Sequence, residues 1–155
     1  MIIGSISENI EIEKRVSITP EVVKKYIELG FKVQLPKNYG YHLGILDQTF
    51  LDLNVNILND ESKILNSSDI LVQHGLLEDK QISCLRENQT LIGTFNANQN
   101  KEIINKISSK NINIFSLELL PRITRAQSMD ILSSQANLAG YKAVVDSFSY
   151  FKKAI

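Results

Sequence analysis

The stretch ILVQHGLLEDKQISCLRENQTLIGTF, residues 70–95, decides the fold. It opens on a short apolar run, Ile70 to Gly75, and closes on another, Thr90 to Phe95. Neither run alternates apolar with polar residues, so both read as strands buried on two faces, as parallel strands are. Between them, Glu78 to Arg86 reads as an amphipathic helix. Strand, helix and strand in this order imply a right-handed crossover between parallel neighbours.

The same alternation continues outward in both directions. Toward the N-terminus, IIGSI (2–6) is a strand. Thr19-Pro20-Glu21 opens a helix, with Thr19 as N-cap and Pro20 at the first helical position. Val22, Val23, Tyr26, Ile27 and Leu29 form its apolar stripe, and Gly30 stops it. FKVQLP (31–36) is a second strand, followed by a loop with Gly40 and Gly44 and a short helix around Asp47 to Leu53. VNIL (55–58) is strand-like, and Glu61 to Asn66 is a further short helix. Toward the C-terminus, Asn100 to Lys110 is helical with Ile103, Ile104 and Ile107 on one face, and NINIFSLEL (111–119) is the last strand. From about Arg125 runs the longest helix, with Leu132, Ala136, Ala139, Ala143 and Val144 as its packing stripe. The expected fold is a three-layer α/β/α domain with a mainly parallel sheet, flavodoxin/Rossmann-like, over residues 1–125, and a long C-terminal linking helix over 126–155. Ligands of such sheets lie at the C-terminal ends of strands. The loops after IIGSI, ILVQHG, TLIGTF and NIFSLEL therefore share one rim.

Composition removes several function classes. With 155 residues, 43% of them hydrophobic, the chain can bury a core and is one domain in size. Its 17 basic residues balance 17 acidic ones, which supplies little of the charge that nucleic-acid binding needs. Cys84 is the single cysteine, so no internal disulfide forms, in keeping with a reducing compartment. MIIGSISENIEIEKR lacks the pattern of a signal peptide, and no apolar run approaches the ~18 residues that cross a bilayer.

The segment PRITRAQSMDILSS, from Pro121 to Ser134, concentrates the polar chemistry. If a helix starts near Thr124 or Arg125, then Gln127, Asp130 and Ser134 share a face, with Ser133 at its edge and Arg122 in the loop before it. An amide, a carboxylate, hydroxyls and a guanidinium suit a neutral polar partner bearing an amide and ribose hydroxyls. The same residue types also cap helices, so a structural role competes. No nucleophile–base pair and no metal-ligand set accompanies them. His42 and His74 are far apart in sequence with no ligand motif nearby, and Asp69 reads as a solvated turn residue. None of the seven glycines forms G-x-G-x-x-G or a P-loop, so a phosphate cradle is missing.

PRITRAQSMDILSSQANLAGYKAV closely resembles the signature of the proton-translocating NAD(P) transhydrogenases, in the N-terminal part of their alpha subunit. IGSISENIEIEKRVSITPEVVKKYIELGFKVQL resembles the start of the same family and of the related alanine dehydrogenases. The resemblance covers essentially the whole chain. It implies one side of an NAD(H)-binding cleft whose other side is a Rossmann domain. It further implies that Arg122, Gln127, Asp130 and Ser133 orient the nicotinamide and its ribose, for hydride transfer to NADP(H) on a partner component. Catalysis of that kind works by positioning, with no acid–base step. The implied partners are the Rossmann domain, the membrane and NADP(H)-binding components, and a second copy in a homodimer. The implied location is cytoplasmic, peripheral to the inner membrane through those partners. Alanine dehydrogenases use an arginine, a lysine and a histidine from this domain. Arg15 matches the arginine, but Gln73 and Asn96 stand at the other two places, which argues against amino-acid oxidation and makes Arg15 structural or a remnant rather than catalytic. Family members continue beyond SYFKKAI into the Rossmann domain; a cut chain, a divided subunit or a non-catalytic remnant are the expected explanations for a chain ending there. The isolated chain is expected to be inactive.

Overall fold

The computed structural model describes residues 1–151. Six strands form one sheet: β1 (Ile2–Gly4), β2 (Lys32–Pro36), β3 (Asn56–Leu58), β4 (Ile70–Gln73), β5 (Thr90–Gly93) and β6 (Asn113–Ser116). Their order is β3-β2-β1-β4-β5-β6, and every neighbouring pair is parallel. The sheet winds outward in both directions from β1 and β4, so the switch point lies between those two strands. The expected α/β, Rossmann-like architecture with a mainly parallel sheet is what is observed, and the sheet is parallel throughout.

The helices follow from local chemistry. In α1 (Pro20–Glu28), Thr19 accepts the main-chain N–H of Val22 at 3.5 Å and Pro20 occupies the first turn. Gly30, at φ 84°, supplies the left-handed residue just past its end. Val23 of α1 and Phe50 of α2 (Asp47–Leu51) pack with Ile3, Val33 and Leu35 on one face of the sheet. On the other face, Ile64 and Leu65 of α3 (Glu61–Ser67), Ile82 of α4 (Asp79–Ser83) and Ile107 of α5 (Lys101–Ser108) pack with Leu71, Leu91 and Phe95. Seven glycines are few for so many tight turns, and asparagine takes their place: Asn38, Asn54, Asn88, Asn96 and Asn111 all have φ between 47° and 62°.

The chain divides into two compact units, Met1–Ser116 and a second starting at Leu117. The first holds the whole sheet. The second contains 3₁₀ turns at Leu117–Leu119 and Thr124–Met129, then α6 (Ile131–Tyr150). Three expectations need correction here. NINIFSLEL is not strand throughout: β6 ends at Ser116 and the chain tightens into a 3₁₀ turn. The long helix starts at Ile131, about six residues later than its pattern suggested. The stripe Leu132, Ala136, Ala139, Ala143 and Val144 is also exposed, and no residue of α6 is buried. Apolar residues surround this helix, so no single face collects them. Residues 152–155, where that helix was expected to continue, lie outside the described residues.

Candidate functional site

In the second unit the polar residues gather around the start of α6. Asp130 is its N-cap. One carboxylate oxygen accepts the main-chain N–H groups of Leu132 and Ser133, each at 3.0 Å, and the other accepts the Ser133 hydroxyl at 2.7 Å. A carboxylate only accepts, so Ser133 donates its proton here and keeps its lone pairs for another partner. The Ser133 hydroxyl, then the main-chain donors and the charge of Arg122, hold the Asp130 carboxyl below its usual range. The helix N-terminus favours the same anionic form.

Arg122, Asp130 and Ser133 are thus brought together, but not in the expected way. Because Thr124–Met129 is 3₁₀ and α6 begins at Ile131, Gln127, Asp130 and Ser134 do not line one α-helical face. Ser134 turns back to the Ile131 carbonyl at 3.0 Å. The capping role that competed for Asp130 is realised. Gln127 is exposed on the 3₁₀ turn, and its carbonyl accepts the N–H of Asp130 at 3.3 Å. Ala126 is the buried anchor of that turn. An exposed guanidinium, an exposed amide and a fixed carboxylate–hydroxyl pair can hold a polar ring and its sugar. They cannot generate a nucleophile.

In the first unit, side chains converge at the C-terminal ends of β1 and β4. The Tyr39 hydroxyl accepts the N–H groups of Ser17 at 3.0 Å and Ile18 at 3.2 Å, and meets Ser5 Oγ at 2.7 Å. With two donors already on its oxygen, Tyr39 donates to Ser5. Burial pushes its hydroxyl pKa up. Ser5 in turn donates to Gln73 Oε1 at 3.1 Å. The Gln73 amide also brackets Ile6, accepting its N–H at 3.2 Å and donating to its carbonyl at 3.1 Å. Gln73 is therefore spent inside the fold. Asn96, also singled out from the sequence, makes a left-handed turn, and its carbonyl accepts the N–H groups of Gln99 and Asn100.

A cleft of about 200 Å³ opens beside this network, lined by Glu8, Arg15, Tyr39, Tyr41 and His42 among others. His42 Nε2 lies 2.8 Å from the Lys14 carbonyl. Arg15 is paired to Glu13, through Nε at 2.8 Å and Nη2 at 2.6 Å. That bonding, above all other causes, lowers the Glu13 pKa from 4.5 to about 2. A depressed carboxylate pKa means stabilisation complete above about 4.5 and lost as the pH falls through 2. Wild-type protein should therefore lose stability across that window more steeply than Glu13→Gln in acid denaturation. Equal slopes would show that the pair contributes nothing.

Cys84 and Asp69 are structural. Cys84 donates its thiol to the Lys80 carbonyl at 3.4 Å as the C-cap of α4. Asp69 is more than the solvated turn residue expected: it accepts the N–H of Ile2 at 2.8 Å and the guanidinium of Arg86 at 2.6 Å, joining the starts of β1 and β4. Sequence reading missed Glu8, Glu13 and Tyr39. The repeated glutamates of ENIEIEKR were the one available hint.

The family model for the alanine dehydrogenase/PNT N-terminal domain matches residues 4–139. The NAD(P) transhydrogenase subunit alpha of Haemophilus influenzae is 35% identical over 97% of the chain and 29% of its own length. The protein of the same name from Cereibacter sphaeroides is 34% identical over 97% of the chain and 29% of its own length. Alanine dehydrogenase 1 of Staphylococcus aureus is 23% identical over 99% of the chain and 40% of its own length. The crystal structure of transhydrogenase from Sinorhizobium meliloti superposes with a TM-score of 0.89 at 34% identity, over 99% of this chain and 46% of that one. The chain thus spans well under half the length of the curated relatives it matches. With the family model covering most of its length, the chain belongs to the alanine dehydrogenase/PNT N-terminal domain family.

Proposed function

We propose that the chain is the nicotinamide-facing N-terminal part of the NAD(H)-binding component of a proton-translocating NAD(P) transhydrogenase. The observation that carries the proposal is the segment Pro121–Val144, in which a cation, an amide and a capped carboxylate surround a helix start, within a chain 34–35% identical to transhydrogenase alpha subunits. The donor set fits a nicotinamide and its ribose: an amide and a guanidinium for a neutral carboxamide, a hydroxyl with free lone pairs for a sugar. When bound, the nicotinamide supplies the hydride and both electrons of the reaction. Arg122 and Gln127 hold the ring, Ser133 holds the sugar side, and Asp130 keeps the helix start rigid beneath them. Direct hydride transfer needs no proton donor or acceptor at the ring, which suits a site with no general base.

The phosphates of the dinucleotide need a cradle that these residues lack, so a Rossmann partner holds them. The membrane and NADP(H)-binding components complete the assembly, and a homodimer is its natural state. No helix among the described residues is long and apolar enough to cross a membrane; the proposed place is peripheral to the inner membrane, on its cytoplasmic side, through partners. An apolar helix that buries none of its own side chains, such as α6, also suits a chain that works against a covering partner. Gln73, bound to Ser5 and Ile6, is unavailable to process an amino acid, which weakens the alanine dehydrogenase reading.

The test is reconstitution of this chain with a Rossmann half and an NADP(H)-binding component. NADH should reduce an NADP+ analogue only in the assembled mixture, and alanine should give no NADH. Alanine oxidation without transhydrogenation would replace the proposal by the dehydrogenase reading; neither activity would leave a non-catalytic remnant.

A further inference from the structure

We propose that the end of β4 is a small oxyanion site which the chain fills with its own Glu8 carboxylate. In a doubly wound sheet the crevice beyond the switch strands, here β1 and β4, is where ligands enter. Two consecutive main-chain N–H groups, those of His74 and Gly75, stand at that place. Successive main-chain donors form a concavity for anions.

Glu8 occupies it. Its Oε1 accepts the His74 N–H at 2.6 Å, and its two oxygens lie 3.4 and 3.3 Å from the Gly75 nitrogen. A Cβ at Gly75 would stand 3.2 Å from Glu8 Oε2, so glycine leaves the carboxylate room without a shift. The segment leading from β1 to α1 is pinned around this contact. The Gln73 amide grips Ile6 on both sides, the N–H of Ser7 donates to Glu61 Oε1 at 3.0 Å, and the Tyr39 hydroxyl takes the N–H groups of Ser17 and Ile18. Pinning on both sides gives the Glu8 carboxylate a high effective concentration at the two donors.

The consequence is exclusion. A phosphate or carboxylate arriving from solution must displace an anion that is tethered and already satisfied. Glu8 also lines the cleft that holds Arg15 and His42, so its removal would open the two N–H donors toward a cleft bearing a guanidinium. The fold retains the place where a nucleotide-binding sheet takes its anion but closes it internally. This inference does not depend on the proposed transhydrogenase role.

The test is chemical rescue of Glu8→Ala. The variant should unfold at lower temperature than wild type. Sodium acetate should restabilise it saturably, shifting its folding equilibrium about tenfold at ten times the dissociation constant. Wild type at matched ionic strength should show no such shift. The His74 and Gly75 amide resonances of the variant should move with the same saturation curve. Inorganic phosphate in place of acetate reports whether the site admits the larger anion, and stronger rescue by phosphate identifies it as a phosphate site. Glu8→Gln keeps an acceptor in place and should melt near wild type with no rescue. The proposal is overturned if Glu8→Ala is as stable as wild type, or if acetate acts equally on both. It also fails if Glu8→Ala stays unfolded at every acetate concentration, since mass action must restore a site that acetate can fill.

Discussion

Gly93→Ala is expected to prevent the chain from reaching a stable folded state. Gly93 ends β5 and pairs with Gln73 of β4. A Cβ built there falls inside the contact distance of the Gln73 carbonyl oxygen and 2.6 Å from two ring carbons of Phe95. The carbonyl belongs to the backbone of an interior strand and cannot rotate away. Phe95 is 1% exposed, with packed neighbours behind it, so the ring cannot retreat either. Ordinary overpacking costs about 1–3 kcal/mol. A clash with main chain on one side and a sealed ring on the other lies beyond that, at roughly 4 kcal/mol or more. A domain of this size has only about 5–15 kcal/mol in total. Urea denaturation followed by circular dichroism should show most of the stability gone, or insoluble protein. Gly140→Ala provides the contrast, because nothing lies within 4 Å of its Cβ and it sits inside α6. It should stabilise that helix by up to about 1 kcal/mol. A wild-type denaturation midpoint for Gly93→Ala would refute the close approach of β4 and β5.

Much of this architecture is legible in the sequence, and the division between what is and what is not follows the range of the interactions. Strands β4 and β5 announce themselves as continuous aliphatic runs because both of their faces are covered. Thr19 and Pro20 mark the start of α1 because capping acts over three residues. The start of α6 is misplaced by its pattern for a related reason. Thr124 and Asp130 are both good capping residues, and a 3₁₀ turn carries much the same apolar spacing as an α-helical one, so periodicity could not choose between them. Arg122, Gln127, Asp130 and Ser133 stand out by residue type, but whether Asp130 faces a ligand or its own helix is a matter of geometry. The Glu8 contact could not be read at all. It joins residues 66 and 67 positions apart, and the Gln73 bonds to Ser5 and Ile6 span 68 and 67. Nothing local distinguishes a glutamate that reaches across the sheet from one in solvent. Asp69 misleads in the same way, since its partners Ile2 and Arg86 lie on other elements.

On the proposed function, Gln127→Asn is expected to lower the hydride-transfer rate of the reconstituted assembly about a hundredfold while leaving folding unchanged. The substitution keeps the amide and shortens its reach by one carbon–carbon bond. A displacement on the order of 1 Å in a site that works by positioning costs roughly 10²-fold in rate. The stability arm follows from the surroundings of Gln127. Its side chain is exposed, while its turn is anchored by Ala126 and closed by the Gln127 carbonyl, which the substitution leaves in place. Thermal unfolding and the amide resonances of Leu132 and Ser133 should therefore match wild type. Asp130→Asn could not serve in its place, because the Asp130 carboxylate holds three donors at the start of α6 and its loss would mix a structural effect with a catalytic one. Affinity for NADH, dominated by the partner that binds the phosphates, should change little, so the loss should appear in kcat more than in KM. An unchanged kcat in a folded Gln127→Asn protein would remove Gln127 from the ring-holding set and leave Arg122 as the remaining candidate for that role.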